Sequence, residues 1–92
     1  MRYEWDERKR RANLAKHGLD FADAEHFDWL HSSTEEDDSE AYGEARYQTI
    51  APLDARMCVM IWTETERGVL RVISLRKATK SEIKRYYEDP QF

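Results

Sequence analysis

Apolar residues recur along this chain in two rhythms, a helical one near the start and a strand-like one through the second half. From Tyr3 to Trp5 aromatic and charged residues alternate, which predicts a short strand. Asp6 then offers an N-cap to a helix over Glu7 to His17, and Gly18 is placed to end it in the left-handed conformation. The apolar stripe of that helix is thin, made of Ala12, Leu14 and Ala15. It predicts packing by one narrow face, with Lys9, Asn13 and Lys16 together on another. Behind Asp20 and Asp23, the residues Phe21, Ala24, Phe27 and Leu30 fall at helical spacing and predict a second helix with a true core face.

The polar run "HSSTEEDDSEAYGE" follows and reads as a loop or an exposed edge strand. Three strands are predicted after it, Arg46 to Ala51, Met57 to Thr63 and Val69 to Arg76, joined by turns at "PLDA" and "ETERG" in an antiparallel meander. Because "MCVMIW" is apolar throughout, the middle strand should be covered on both faces. "TKSE" is a capping box that opens a last helix from Lys80 to Glu88, with Ile83, Tyr86 and Tyr87 inward and Pro90 ending it. The fold class is therefore α+β: a small antiparallel sheet with two N-terminal helices and one C-terminal helix, in a single domain over residues 1–92.

Composition narrows the functions this scaffold can carry. The chain has 92 residues, 40% hydrophobic and 37% charged, with three Gly and two Pro, the profile of an ordered domain rather than a disordered one. It is too small for multi-step chemistry on a large cofactor, and no cofactor is expected. No apolar run is long enough to span a bilayer, and no secretory signal follows the basic residues near the N-terminus, so no membrane association and a cytoplasmic location are expected. Net charge is −4, yet it is unevenly spread. Residues 1–18 carry six basic and three acidic side chains, residues 19–45 carry none and ten, and residues 46–92 carry nine and six. A local basic cleft beside an acidic surface is compatible with either RNA or a basic protein as partner.

Several side chains invite chemistry and each has a structural alternative. His26, Asp28 and His31 lie near one another, but two histidines five apart on a helix point in different directions, so no metal site is expected. Cys58, alone and among apolar neighbours, reads as a core residue. Arg71, Ser74 and Arg76 share a strand, with Lys77, Thr79 and Lys80 after it. A guanidinium fork binds two phosphate oxygens and stabilises a pentacoordinate transition state. Strict alternation sets Ser74 and Arg76 with Leu70 and Val72, and Arg71 with Ile73 and Leu75, so the two arginines act together only if a bulge or the strand edge re-aims one. Otherwise they pair with carboxylates on a solvated edge. Trp62 is a candidate base-stacking residue, with core packing as its alternative. Lys16 and His17 suit the dipole at the end of a helix, and equally a phosphate contact and a proton shuttle.

These residues fall in a pattern with a known likeness. The stretch "EWDERKRRANLAKHGLDFADA", through Trp5, Asp6, Lys9, Asn13, Lys16, His17, Gly18, Phe21 and Ala24, resembles the N-terminal signature of BrnT-type toxins. "YGEARY", from Tyr42 to Tyr47, and "RVISLRKATKSE", from Arg71 to Glu82, resemble the family's other two blocks, in order and across nearly the whole chain. The resemblance implies a RelE-like fold and a metal-independent endoribonuclease that inhibits translation and growth as the toxin of a type II toxin–antitoxin pair. It implies a BrnA-like ribbon-helix-helix antitoxin that neutralises the toxin and with it represses the operon, so that DNA is met only through the antitoxin. Carried over by position, Arg76, Ser74, Arg71 and His17 are the catalytic candidates, and Lys16, Arg46 and Lys9 the RNA phosphate contacts. A base would deprotonate a ribose 2′-hydroxyl, arginines would stabilise the phosphorane, and an acid would protonate the leaving oxygen. Where the family often has Arg, this chain has Ser39, two residues after Asp37, in an acidic loop. That departure keeps open a non-catalytic protein of the same fold that binds the antitoxin or RNA.

Overall fold

The computed structural model describes residues 1–37 and 44–88. Ser39, Tyr42 and Pro90, to which the sequence assigns a family departure, a block position and a helix stop, lie outside the described residues. The elements are β1 (Tyr3–Trp5), α1 (Glu7–His17), two 3-10 segments (Phe21–His26 and Trp29–His31), β2 (Ser33–Asp37), β3 (Arg46–Leu53), β4 (Arg56–Glu64), β5 (Leu70–Lys77) and α2 (Lys80–Glu88). No helix among them is long and apolar enough to cross a membrane.

The α+β class holds, but the sheet is larger than expected and mixed. Its order is β1-β5-β4-β3-β2, with β2 to β5 antiparallel and β1 parallel to β5 through Tyr3↔Leu70, Glu4↔Arg71 and Trp5↔Val72. Of the polar run, Ser33–Asp37 forms an edge strand, β2. After β1 the chain passes through α1 and the 3-10 segments to the opposite edge of the sheet, and the antiparallel run from β2 back to β5 returns it beside β1.

The second predicted helix is instead 3-10, closed by bonds from Asp23 N–H to Asp20 O and from Phe27 N–H to Ala24 O. Phe21, Ala24 and Phe27 are spaced by three, and three residues per turn stack them in one line over the sheet, where all are buried. The positions an α-helix would add, Glu25, Asp28 and His31, are polar, and Leu30 is 88% exposed.

Helix α1 also inverts its expected face. Asp6 caps it, accepting from the Arg8 and Lys9 amides, and Gly18 ends it at φ 71° as predicted. Its buried residue, however, is Asn13, while Ala12, Leu14 and Ala15 face solvent. The cause lies in β5. Strand β1 covers only its first half, leaving the Leu75 N–H and C=O open at the edge, and the Asn13 amide completes them. Nδ2 donates to Leu75 O at 2.7 Å and to Leu19 O at 3.1 Å, and the Leu75 N–H donates to Oδ1 at 3.2 Å. A primary amide here does the work of a missing strand residue.

Between sheet and 3-10 segments lies the core: Phe21, Ala24, Phe27, Ala51, Cys58, Met60, Val72 and Leu75, with Trp5, Trp29 and Trp62 packed against it. The opposite, outer face carries α2, held by Arg76–Glu82, by Arg85–Glu35 and by the Tyr86 hydroxyl donating to His31 O. Cys58, Val59 and Met60 are buried in succession, so β4 is covered on both faces, as its apolar run predicts.

Candidate active site

One irregularity in β5 sets the geometry of the outer face. Ile61 pairs with Ser74 but Trp62 pairs with Val72, which leaves Ile73 as the extra residue of a β-bulge. Strict alternation is broken there. Leu70, Val72 and Leu75 all turn to the core, and Arg71, Ser74 and Arg76 all turn outward with their partners Thr63, Ile61 and Val59. The separation of the two arginines predicted from period two is thus corrected, and by the device that the sequence left open.

Around them the outer face is built in rows. Arg46 faces the same way from β3, opposite Asp37 and one step beyond the Tyr47↔Trp62 pair. Arg71 is flanked by Glu4 on β1 and Thr63 on β4. With strands about 4.8 Å apart, Arg46 and Arg71 stand two strands from one another, about 10 Å. Along the β5 side, Lys9, Lys16 and His17 of α1 border the same open depression of about 310 Å³ as Ile73 and Ser74. Lys9, Lys16 and His17 from the first sequence block and the hydroxyl from the third therefore share one groove.

Both β5 arginines are held by carboxylates. Arg71 donates from Nε and Nη2 to Glu4 Oε2 at 3.0 and 2.6 Å, in a pair that solvent reaches. Arg76 meets Glu82 through two bonds of 2.8 and 3.0 Å, and both side chains are mostly shielded. The Arg76 guanidinium, with help from the Thr79 amide, holds the Glu82 carboxyl down at about 2. Glu4 and Glu82 in turn keep the arginines firmly charged. Neither carboxylate was singled out for the site from sequence. Glu82 reads there only as half of a capping box, a role it also fills, and Glu4 as the charged member of an alternating strand.

Trp62 is placed on the other side of the sheet. Its ring stacks on Tyr47 with centroids 4.7 Å apart, meets Trp29 edge-on at 5.7 Å, and donates from Nε1 to Thr49 Oγ1 at 2.9 Å. It therefore lies on the opposite sheet face from Ser74. The histidines outside α1 turn to separate carboxylates, His26 to Asp54 at 3.5 Å and His31 to Asp28 at 2.8 Å. Among the described residues no three His, Cys, Asp or Glu side chains converge as metal ligands. Burial pushes the Cys58 thiol up, away from the thiolate.

The fold and the sequence have known relatives. A family model described as the ribonuclease toxin BrnT of type II toxin–antitoxin systems matches residues 5–82. The crystal structure of the Brucella abortus ribonuclease toxin BrnT superposes with a TM-score of 0.71 at 34% identity, over 87% of this chain and 99% of that one. Among curated proteins, none matches this chain significantly.

Proposed function

The chain belongs to the BrnT family, the ribonuclease toxins of type II toxin–antitoxin systems, and on that premise we propose that it cleaves RNA in the groove between α1 and the outer face of β5. The observation that carries this reading is the bulge at Ile73, which turns Arg71, Ser74 and Arg76 to one face, with Ser74 bordering the depression that Lys9, Lys16 and His17 also line. Lys9, Lys16 and Arg46 bind backbone phosphates. Arg71 and Arg76 bracket the scissile phosphate, and Ser74 donates to one of its oxygens.

The reaction is transesterification within the RNA strand. A base takes the proton of a ribose 2′-hydroxyl, the 2′-oxygen attacks the adjacent phosphorus, and the arginines stabilise the added charge of the phosphorane. The bond to the 5′-oxygen then breaks, an acid protonates that oxygen, and a 2′,3′-cyclic phosphate is left. His17 is the side chain at the groove suited to proton transfer near neutral pH. None of these steps calls for a metal. In the cell, the activity restrains translation and growth until a BrnA-like ribbon-helix-helix antitoxin binds, and the complex meets DNA through the antitoxin and represses their operon.

Incubating the purified chain with RNA in the presence of a chelator tests this. Cleavage with cyclic phosphate ends, absent in Arg76→Ala, is expected. Intact RNA alongside a folded protein that still binds its antitoxin would favour a second reading, a non-catalytic antitoxin-binding protein. The carboxylates already seated on Arg71 and Arg76 are the observation on that side.

A further inference from the structure

On the core face, past the last buried residues, Trp29, Tyr47, Trp62 and Leu70 wall an open hollow of about 420 Å³. Its rings are fixed. Tyr47 and Trp62 stack, Trp29 meets Trp62 edge-on, and the two indole N–H groups are already taken, by Thr49 Oγ1 and by the Tyr3 hydroxyl. What remains for a visitor is rigid aromatic surface. Tyr47 and Glu64 are shared with a second hollow, of about 360 Å³, bordered by Glu44, Glu64 and Glu66 and, among the described residues, by no lysine or arginine.

We propose that this pair of hollows is where the antitoxin docks, through a segment that seats an aliphatic side chain among the rings and sets an adjacent Lys or Arg on the carboxylates. The inference rests on the family's having an antitoxin and not on the cleavage chemistry. Rigid aromatic pockets anchor protein interfaces, and the charge beside this one selects the occupant. Of the three carboxylates Glu44 is paired with Arg46 at 3.4 Å; Glu64 and Glu66 repel a phosphate backbone and complement an apolar anchor flanked by positive charge. The aromatic hollow also opens on the sheet face opposite Arg71, Ser74 and Arg76. The second hollow reaches round to Thr63, the β4 partner of Arg71, and to Glu44, which holds Arg46.

The test titrates the folded chain with the antitoxin, taken as the product of the reading frame adjoining its gene. Trp62→Ala probes the hollow directly but also removes core packing, so the deciding variant is Glu64→Lys/Glu66→Lys, at two exposed positions. It should weaken binding at least about tenfold. Glu25→Lys/Glu88→Lys, the same change in charge at exposed positions bordering neither hollow, should leave affinity within about twofold. Equal affinity for the native chain and the Glu64→Lys/Glu66→Lys variant would overturn the proposal. So would self-association of the chain alone that this variant abolishes, which would assign the hollows to a second copy. Because the readout is binding, a chain that binds in this way but leaves RNA intact would count against cleavage and not against the docking surface.

Discussion

Arg76 and Glu82 meet fork to fork, with Nη1 on Oε1 at 2.8 Å and Nη2 on Oε2 at 3.0 Å. The same carboxylate accepts the Thr79 amide at 2.8 Å and so closes the N-terminus of α2. One side chain thus orients a candidate catalytic guanidinium and starts the helix that lies over the outer face.

Glu82→Gln keeps the shape and removes the charge. It is expected to cost about 1–2 kcal/mol at neutral pH, the worth of a charge-assisted pair and part of a cap. In the native chain this contribution depends on pH with a definite sign. The folded carboxyl sits at about 2 against an ordinary 4.5, so its stabilisation is complete above about 4.5 and is lost as pH falls toward about 2. Denaturant titrations at about pH 7 and about pH 3 should show the gap between the native chain and the variant narrowing by more than half. An equal gap at both would remove Glu82 as its source.

The two arginines should separate stability from activity. Arg71→Ala breaks a solvent-reached pair and should change stability by less than about 1 kcal/mol. Arg76→Ala leaves a shielded carboxylate without its fork and should cost about 1–3 kcal/mol, with the domain still folded. Both should slow RNA cleavage by about 10²–10³-fold. Wild-type rates in a folded Arg76→Ala protein would take that residue out of the site.

Asn13→Ala deletes a buried amide with three backbone partners. A loss of about 2–4 kcal/mol is expected, since the Leu75 N–H and C=O are left with no strand to pair with. For a domain of this size the thermal midpoint should drop by about 10 °C or more. A shift of a degree or two would mean that water replaces the amide.

Cys58 is fully buried, with its thiol pushed up by that burial. It should react with a thiol reagent at mildly alkaline pH only as fast as the chain opens, and at once in denaturant. Labelling of the native protein at the rate of a free thiol would contradict its place in the core.

Local signals were legible in the sequence where the cause is local. Asp6 and Gly18 bound α1, Thr79 and Glu82 box the start of α2, and the apolar run of β4 reports its double burial, because each depends on neighbours a few residues away. Other features depend on distant partners. Asn13 looks like a solvated residue until Leu75, 62 positions on, is seen to lack a strand. The bulge at Ile73 has no residue of its own to announce it, yet it decides which side chains share a face. The three family blocks pointed to Lys16, His17, Arg71, Ser74 and Arg76 as candidates but not to the carboxylates that hold the arginines. Trp62 was assignable to core or to stacking from its composition of neighbours, and only the sheet says which side it is on.

The parallel join of β1 to β5 also bears on when this molecule becomes itself. Glu4 bonds a residue 67 positions away, and Asn13 one 62 positions away. During synthesis the first strand and helix have nothing to pair with until β5 has left the ribosome, so the nascent chain carries its cations without the frame that aims them. The groove is assembled only once β5 has emerged, so its side chains are aimed late, by contacts that span more than sixty residues.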